Sequence, residues 1–296
     1  MSATIPNPDE SLARGAYAIH TAWEGHSNVM HVASGEVMHS RSVPIDEATL
    51  LYVEQPELAA RLRLPAADPF VIWDVGLGAA ANALAAIGCW ERAAAAGPVR
   101  PLHLVSFDTD LDPLRLALAH KERFPYLHHG AADALAEHGV WRAGGDGGLT
   151  WSLCQGDFFV TLGTAPPPDL VFYDLFSANT HREAWDHAAF VGLLAACRAR
   201  SAEVITYSSS TRVRAGLLAA GFWVAKGLAC GLKDETTVAI APGFAPPCRY
   251  PLLSSAWLER FHRSDAQYPT ALPRADRAAF LAAIITHPQF AVPSGD

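Results

Sequence analysis

Four short polar motifs in this chain each follow an apolar run: Asp74-Val75-Gly76-Leu77-Gly78, Ser106-Phe107-Asp108, Gly156-Asp157 and Tyr173-Asp174-Leu175-Phe176. Glycine permits a positive φ and lets a ligand approach the backbone closely, and a helix that follows such a turn presents unpaired N–H groups. A carboxylate at the end of the next strand, here Asp108, can accept both hydroxyl hydrogens of a ribose. Singly, each motif has a plain structural reading: a tight turn for Gly76-Leu77-Gly78, a helix cap for an acid at a strand end, as Asp112 is read. Taken in chain order, they point to a nucleoside.

What is missing narrows the ligand. No lysine or arginine lies near the glycine turn, and no Walker-type phosphate loop is present. The dinucleotide fingerprint can be forced onto Gly76–Ala81 only with Ala81 in its last place. Asp74 directly precedes the turn and suits a ligand carrying positive charge better than a pyrophosphate, because opposite charges attract most where water is excluded. The sulfonium and amino group of S-adenosylmethionine meet that demand.

The elements that must position these residues are legible from residue 69 onward. Phe70–Val75, Leu102–Phe107, Leu149–Leu153, Leu170–Tyr173 and Glu203–Ser208 read as nearly continuous apolar strands. Helical stretches run from Ala79 to about Ala96, from Asp112 to about Arg123, from Glu183 to Arg200 and from Arg212 to Ala220. Trp223–Leu228 and Thr236–Ala241 have no helix between them and are expected to form an antiparallel hairpin on the sheet edge. The expectation is a doubly wound α/β core over residues 69–241, with an N-terminal extension, 1–68, and a proline-rich C-terminal one, 242–296. In the former, Gly35–Ser40 reads as a strand and Ile45–Leu64 as an amphipathic helix. The latter is expected to wrap the surface and end in a helix near Arg274–Thr286.

In such a sheet, ligands bind outside the carboxyl ends of the strands, where the winding reverses. Asp74-Val75-Gly76-Leu77-Gly78-Ala79-Ala80-Ala81-Asn82 resembles the glycine loop of the methyltransferase domain of bacterial tRNA 5-methylaminomethyl-2-thiouridine biosynthesis enzymes (MnmC type), which also occur as stand-alone methyltransferases. Ser106-Phe107-Asp108 resembles that family's ribose strand, Gly156-Asp157 its adenine corner, and Tyr173–Ser177 with Trp185 its catalytic segment. Gly35–Ser40, Glu47-Ala48 and Val53-Glu54 resemble its lid. Two departures stand out: Ala80 where the family usually has a third glycine, and Ala178 where it usually has proline.

The resemblance implies a Rossmann-like class I S-adenosylmethionine-dependent methyltransferase fold. It also implies methyl transfer to the primary amine of 5-aminomethyl-2-thiouridine at the tRNA wobble position. Asp174 would orient the amine and accept its proton, and Phe176 would wall the acceptor pocket. Asp74, Gly76, Gly78 and Asn82 would surround the methionine end of the cofactor, Asp108 the ribose, and Gly156 and Asp157 the adenine. No metal is called for. Asp174 as a mere turn cap, and Trp185 as a core residue, remain open alternatives.

Composition bounds the rest. The 296 residues include 50% hydrophobic and 18% charged side chains, ample for a buried core and against wholesale disorder. No long uncharged apolar run or secretory leader is seen, so a soluble cytoplasmic protein is expected. The five cysteines are scattered without C-x-x-C spacing, against a disulfide framework or zinc cage. A net charge of −8 argues against non-specific coating of nucleic acid. Yet from Cys197 to Lys233 six basic residues meet one acid. A tRNA would be held there, by Arg198, Arg200, Arg212 and Arg214 with Lys233, unless the stretch is simply a solvated helix face. His128-His129 reads as a solvated loop, and Ser208-Ser209-Ser210 lacks a nucleophile elbow. Competing readings are a methyltransferase for a small-molecule or protein amine, a non-catalytic scaffold, and, least favoured, a nicotinamide-dependent oxidoreductase.

Overall fold

The computed structural model describes residues 12–39, 42–145, 148–177, 180–231, 233–243 and 249–291. Short polar-apolar segments near the N-terminus form an antiparallel meander of β1 (Ala13–Arg14), β2 (Tyr17–Thr21), β3 (Ser27–His31) and β4 (Glu36–Val37). The main sheet contains β5 (Phe70–Val75), β6 (Leu102–Asp108), β7 (Val140–Ala143), β8 (Leu149–Gln155), β9 (Leu170–Tyr173), β10 (Glu203–Thr206), β11 (Trp223–Gly227) and β12 (Thr236–Ile240). Its strand order is β11-β12-β10-β9-β5-β6-β8-β7.

Strands β5, β6, β8, β9 and β10 are parallel, while β12 pairs antiparallel with both β10 and β11. The expected edge hairpin is therefore present, with β12 on its inner side. All residues of β5 and β9 are buried, as continuous apolar runs between helical layers must be. Winding starts at β5, runs outward through β6 and β8, then returns to β9, so the switch point lies between β5 and β9. Apolar clusters fill both faces: Leu51, Ile72, Leu84, Leu104 and Trp151 on one, Trp73, Phe107, Tyr173, Leu193 and Phe222 on the other.

Several local expectations are corrected. The helix foreseen over Ile45–Leu64 is broken into an α-turn (Pro44–Ala48), a π-helical segment (Thr49–Glu54) and a short α-helix (Leu58–Leu62). Pro56, which has no N–H to donate, and Glu57, at φ 52°, account for the break before Leu58. Glu183–Arg200 is an α-helix only over His187–Cys197, capped by the Asp186 carboxylate and flanked by 3₁₀ turns. Asp112 is not a cap: Leu111 holds that place, Asp112 is the first helical residue, and its carboxylate accepts a bond from Arg14 Nε at 2.7 Å. The strand expected over Gly35–Ser40 is confined to Glu36–Val37; Ser40 and Ala178 lie outside the described residues.

β7 and the helix Ser255–His262 were not foreseen. The last long helix, Arg277–Ile285, falls within the expected segment. Among the described residues, no helix is long and apolar enough to cross a membrane.

Candidate active site

The carboxyl ends of β5, β6, β8 and β9 bring the predicted motifs together along one rim. Gly76, at φ 96°, and Gly78, at φ 51°, form the turn between β5 and the helix Ala81–Ala95. A Cβ on Gly76 would lie 2.6 Å from the Asp174 carbonyl oxygen, so the glycine lets the two strand ends meet at the switch point. Ala80 also adopts a left-handed backbone, φ 66°, and is fully buried. For an L-residue this conformation costs about 1–2 kcal/mol, which the family's third glycine would not incur.

Two hollows meet at this rim. The smaller, about 240 Å³, is lined by Phe107, Asp108, Gly156, Asp157, Phe158 and Leu175 among others: a narrow slot with aromatic walls and acids at its edge. The larger, about 570 Å³, lies over Gly76–Gly78 and reaches Asp174, Phe176, the β4 segment, the Ser208–Arg212 turn and Lys233.

Asp74 is fully buried; Ser106 Oγ donates to its Oδ2 at 2.6 Å, and Trp151 Nε1 in turn donates to Ser106 Oγ. Burial, aided by the charges of Asp174 and Asp108 and opposed by the Ser106 bond, pushes its pKa up to about 7. Its Oδ1 has no partner among the described residues, but the side chain has no exposed surface and lines neither hollow, so Asp74, expected beside the cofactor, lies behind the cleft lining. Asp108 accepts from Gly78 N at 3.2 Å and from Asp110 N at 3.1 Å, and burial raises its pKa. Asp157 caps the turn Phe158–Thr161 through bonds from Phe159 N and Val160 N to Oδ1. Gly156, at φ 137°, bonds back to the Asp108 carbonyl.

Asn82, expected beside the cofactor, donates through Nδ2 to Asp174 Oδ2 at 2.8 Å and so fixes that carboxylate. Burial raises the Asp174 pKa, against the opposing effects of His39, Asn82 and Tyr52. His39 and Glu47 escaped the sequence reading as site residues. His39 Nδ1 lies 3.0 Å from Glu47 Oε1, with both side chains largely buried on the cleft wall. Burial works against the charged imidazole, but Glu47 and Asp174 outweigh it and hold His39 above its usual pKa; Glu47 is lowered in turn. A signal was present: Glu47 falls on the apolar side of its segment, three and four residues before Leu50 and Leu51.

Phe176 stands on the cleft wall among Tyr17, with which it stacks, His31 and His181. Trp185 is buried and donates Nε1 to the Phe176 carbonyl at 2.8 Å, so it is a core residue that also steadies the pocket wall. Glu36 of β4 accepts from Ser177 N and from the hydroxyls of Ser177 and Thr180, clasping the small sheet to the loop after Asp174. His129 pairs with Glu91, and His128 bonds to the Pro125 carbonyl.

The four arginines expected to form one basic face do not. Arg200 is bonded to Asp169, Asp68 and the Pro69 carbonyl at the opposite rim of the sheet, and Arg198 lies in the same turn. Arg214 is 2% exposed and bonded to Glu235, Thr237 and the Thr236 carbonyl, so it supports β12 and is closed to a phosphate. Arg212 alone of the four lines the larger cleft.

A parallel sheet wound from β5, an antiparallel β12 inside its edge, and acids and glycines along the carboxyl rim define a Rossmann-like methyltransferase. Residues 149–242 match the family described as S-adenosyl-L-methionine-dependent methyltransferase. The chain is 30% identical over 237 residues to the tRNA 5-methylaminomethyl-2-thiouridine biosynthesis bifunctional protein MnmC of Aeromonas hydrophila, covering 72% of this chain and 35% of that protein. It is 31% identical over 222 residues to the protein so named in Ectopseudomonas mendocina, covering 72% and 33%. The crystal structure of MNMC2 from Aquifex aeolicus superposes with a TM-score of 0.67 at 19% identity, over 92% of this chain and 84% of that one, a likeness of fold. The chain belongs to the S-adenosyl-L-methionine-dependent methyltransferases of the MnmC methyltransferase type, and it spans about a third of the length of the curated relatives it matches.

Proposed function

We propose that this enzyme transfers a methyl group from S-adenosylmethionine to the primary amine of 5-aminomethyl-2-thiouridine at the tRNA wobble position. The observation that carries this reading is the placement of Asp174, half-buried and oriented by Asn82, in the lining of the larger cleft beside Leu175, which lines both hollows. The smaller hollow, lined by Asp108, Gly156, Asp157 and Phe158, would take the adenine and ribose, with Asp157 toward the base and Asp108 toward the ribose. The Gly76–Gly78 turn, which lines the larger cleft, would take the cationic methionine end, with the buried Asp74 adding negative potential from the strand that precedes it. When bound, S-adenosylmethionine supplies an electrophilic methyl carbon on a sulfonium.

This chain's residues must then present a neutral amine in line with that carbon, at about 3–3.5 Å. Asp174 accepts a hydrogen bond from the amine, directs its lone pair and takes up its proton. His39, whose pKa its contact with Glu47 raises, opposes the upward push of burial on Asp174 and so favours the ionised form that this role requires. Phe176 and its aromatic neighbours wall the acceptor side.

Methyl transfer from labelled cofactor is to be measured with undermodified tRNA beside total protein and metabolite extracts. Label is expected in tRNA, in the wobble nucleoside. Label confined to protein or small molecules would overturn the tRNA assignment. Asp174→Asn is expected to lower kcat with cofactor affinity nearly intact; loss of both together would make Asp174 a cofactor or structural residue.

A further inference from the structure

The larger cleft is lined by groups of both signs: Asp174, Glu47 with its partner His39, and Glu36, together with Arg212 and Lys233 beside Ser208 and Ser210. Arg212 Nε is buried and has no acceptor among the described residues. A guanidinium N–H left without an acceptor is costly, and its usual complement is a carboxylate or phosphate oxygen. Lys233 Nζ donates to the Tyr207 carbonyl at 3.0 Å and sits over the Tyr207 ring, which leaves further ammonium hydrogens for a ligand.

We propose that Arg212 and Lys233 form a phosphate subsite within the acceptor cleft, which receives the phosphate of the same nucleotide whose amine faces Asp174. The proposal deepens the reading above and rests on it for the amine. A cleft lined by carboxylates and by two cations selects a ligand that carries both a basic and an anionic group. An amine-bearing nucleotide has that form, and a free nucleoside or a simple amine does not. The site then recognises one extruded nucleotide locally, without the broad basic face that the ion-paired Arg200 and Arg214 cannot supply. Burial pushes the Lys233 pKa down to about 8, against the opposing charges of Asp174, Glu47 and Cys230, so a phosphate beside it would restore the ammonium form.

Calorimetric titration of the whole chain with uridine and with uridine 5′-monophosphate, at low salt and in the presence of the demethylated cofactor, tests this. The monophosphate is expected to bind about tenfold or more tightly than the nucleoside, the scale of one charge-assisted hydrogen bond. That preference should vanish in Arg212→Gln and, separately, in Lys233→Gln, with cofactor affinity unchanged in both. Equal binding of the two ligands by the unaltered protein would overturn the proposal. So would variants that weaken the cofactor while keeping the monophosphate preference, since the cations would then serve the cofactor's carboxylate. A retained phosphate preference with no methyl transfer to tRNA would uphold the subsite and refute only the tRNA acceptor.

Discussion

Replacing Gly76 by alanine is expected to destabilise the fold by about 2–5 kcal/mol and to displace Asp174. The left-handed backbone there, φ 96°, contributes about 1–2 kcal/mol once a Cβ is present. The added methyl would lie 2.6 Å from the Asp174 carbonyl oxygen, 3.0 Å from its carbonyl carbon and 3.2 Å from Leu175 N. These are backbone atoms that no rotamer change can clear, so the ends of β5 and β9 must part, an overpacking cost of about 1–3 kcal/mol. Gly25 supplies the control: its φ is 91°, and a Cβ there meets nothing within 4 Å. Gly25→Ala should therefore lose only the backbone contribution. Urea unfolding midpoints at unchanged m, converted to free energies, give the difference between the two variants. It should come to about 1–3 kcal/mol, the overpacking part alone. Cofactor titration should show weakened binding in Gly76→Ala and undiminished binding in Gly25→Ala. Equal destabilisation of both variants, or full cofactor affinity in Gly76→Ala, would refute the close approach inferred at the switch point.

Asp108→Ala should weaken cofactor binding by about 1.5–3 kcal/mol per lost charge-assisted bond, read by calorimetry; undiminished affinity would remove the ribose assignment. Asp74, raised in the folded protein to about 7, favours folding below its unfolded pKa and loses that contribution as pH rises through about 7. Asp74→Asn should thus be more stable than the unaltered protein above pH 7 in chemical unfolding, while binding the cofactor less well; a pH-independent difference would show that Asp74 is not the titrating group. Arg214→Met, which strips the buried Thr236 carbonyl of its donor while Glu235 keeps Lys226, should lower stability by about 1–3 kcal/mol. In a variant that remains folded, the salt dependence of tRNA binding should be unaltered, whereas a shallower salt slope would restore Arg214 to the nucleic-acid surface.

The rim of the site was legible because the strands that carry it are buried on both faces, and their apolar runs stop abruptly at Asp74, Asp108 and Asp174. The short edge strand β7 escaped notice because Val140, Trp141, Arg142 and Ala143 are half-buried or exposed and form no such run. Charge counting failed for the arginines because a linear tally carries no direction. Arg212 and Arg214, two residues apart on one helix, point about 200° apart, one into the cleft and one under β12. The left-handed turn at Ala80 could not be read from an alanine, a residue that rarely adopts it. His39 and Glu47, eight residues apart, meet across the connection between β4 and the helical turn Pro44–Ala48, and although Glu47 stood out on an apolar side, nothing in the sequence named His39 as its partner.

The wide π-helical stretch from Thr49 to Glu54 also fixes a phase. Its buried Leu51, Tyr52 and Val53 anchor it to the core, with the Tyr52 ring 4.8 Å from that of Phe172. An α-helix would span the same height with one residue fewer. Losing one residue there would let the segment close into an α-helix with the residues on either side still in phase, because the wider turn already holds the extra residue. Glu47 would keep its place beside His39. A single-codon deletion could in this way be absorbed by the fold without disturbing the acid–imidazole pair next to Asp174.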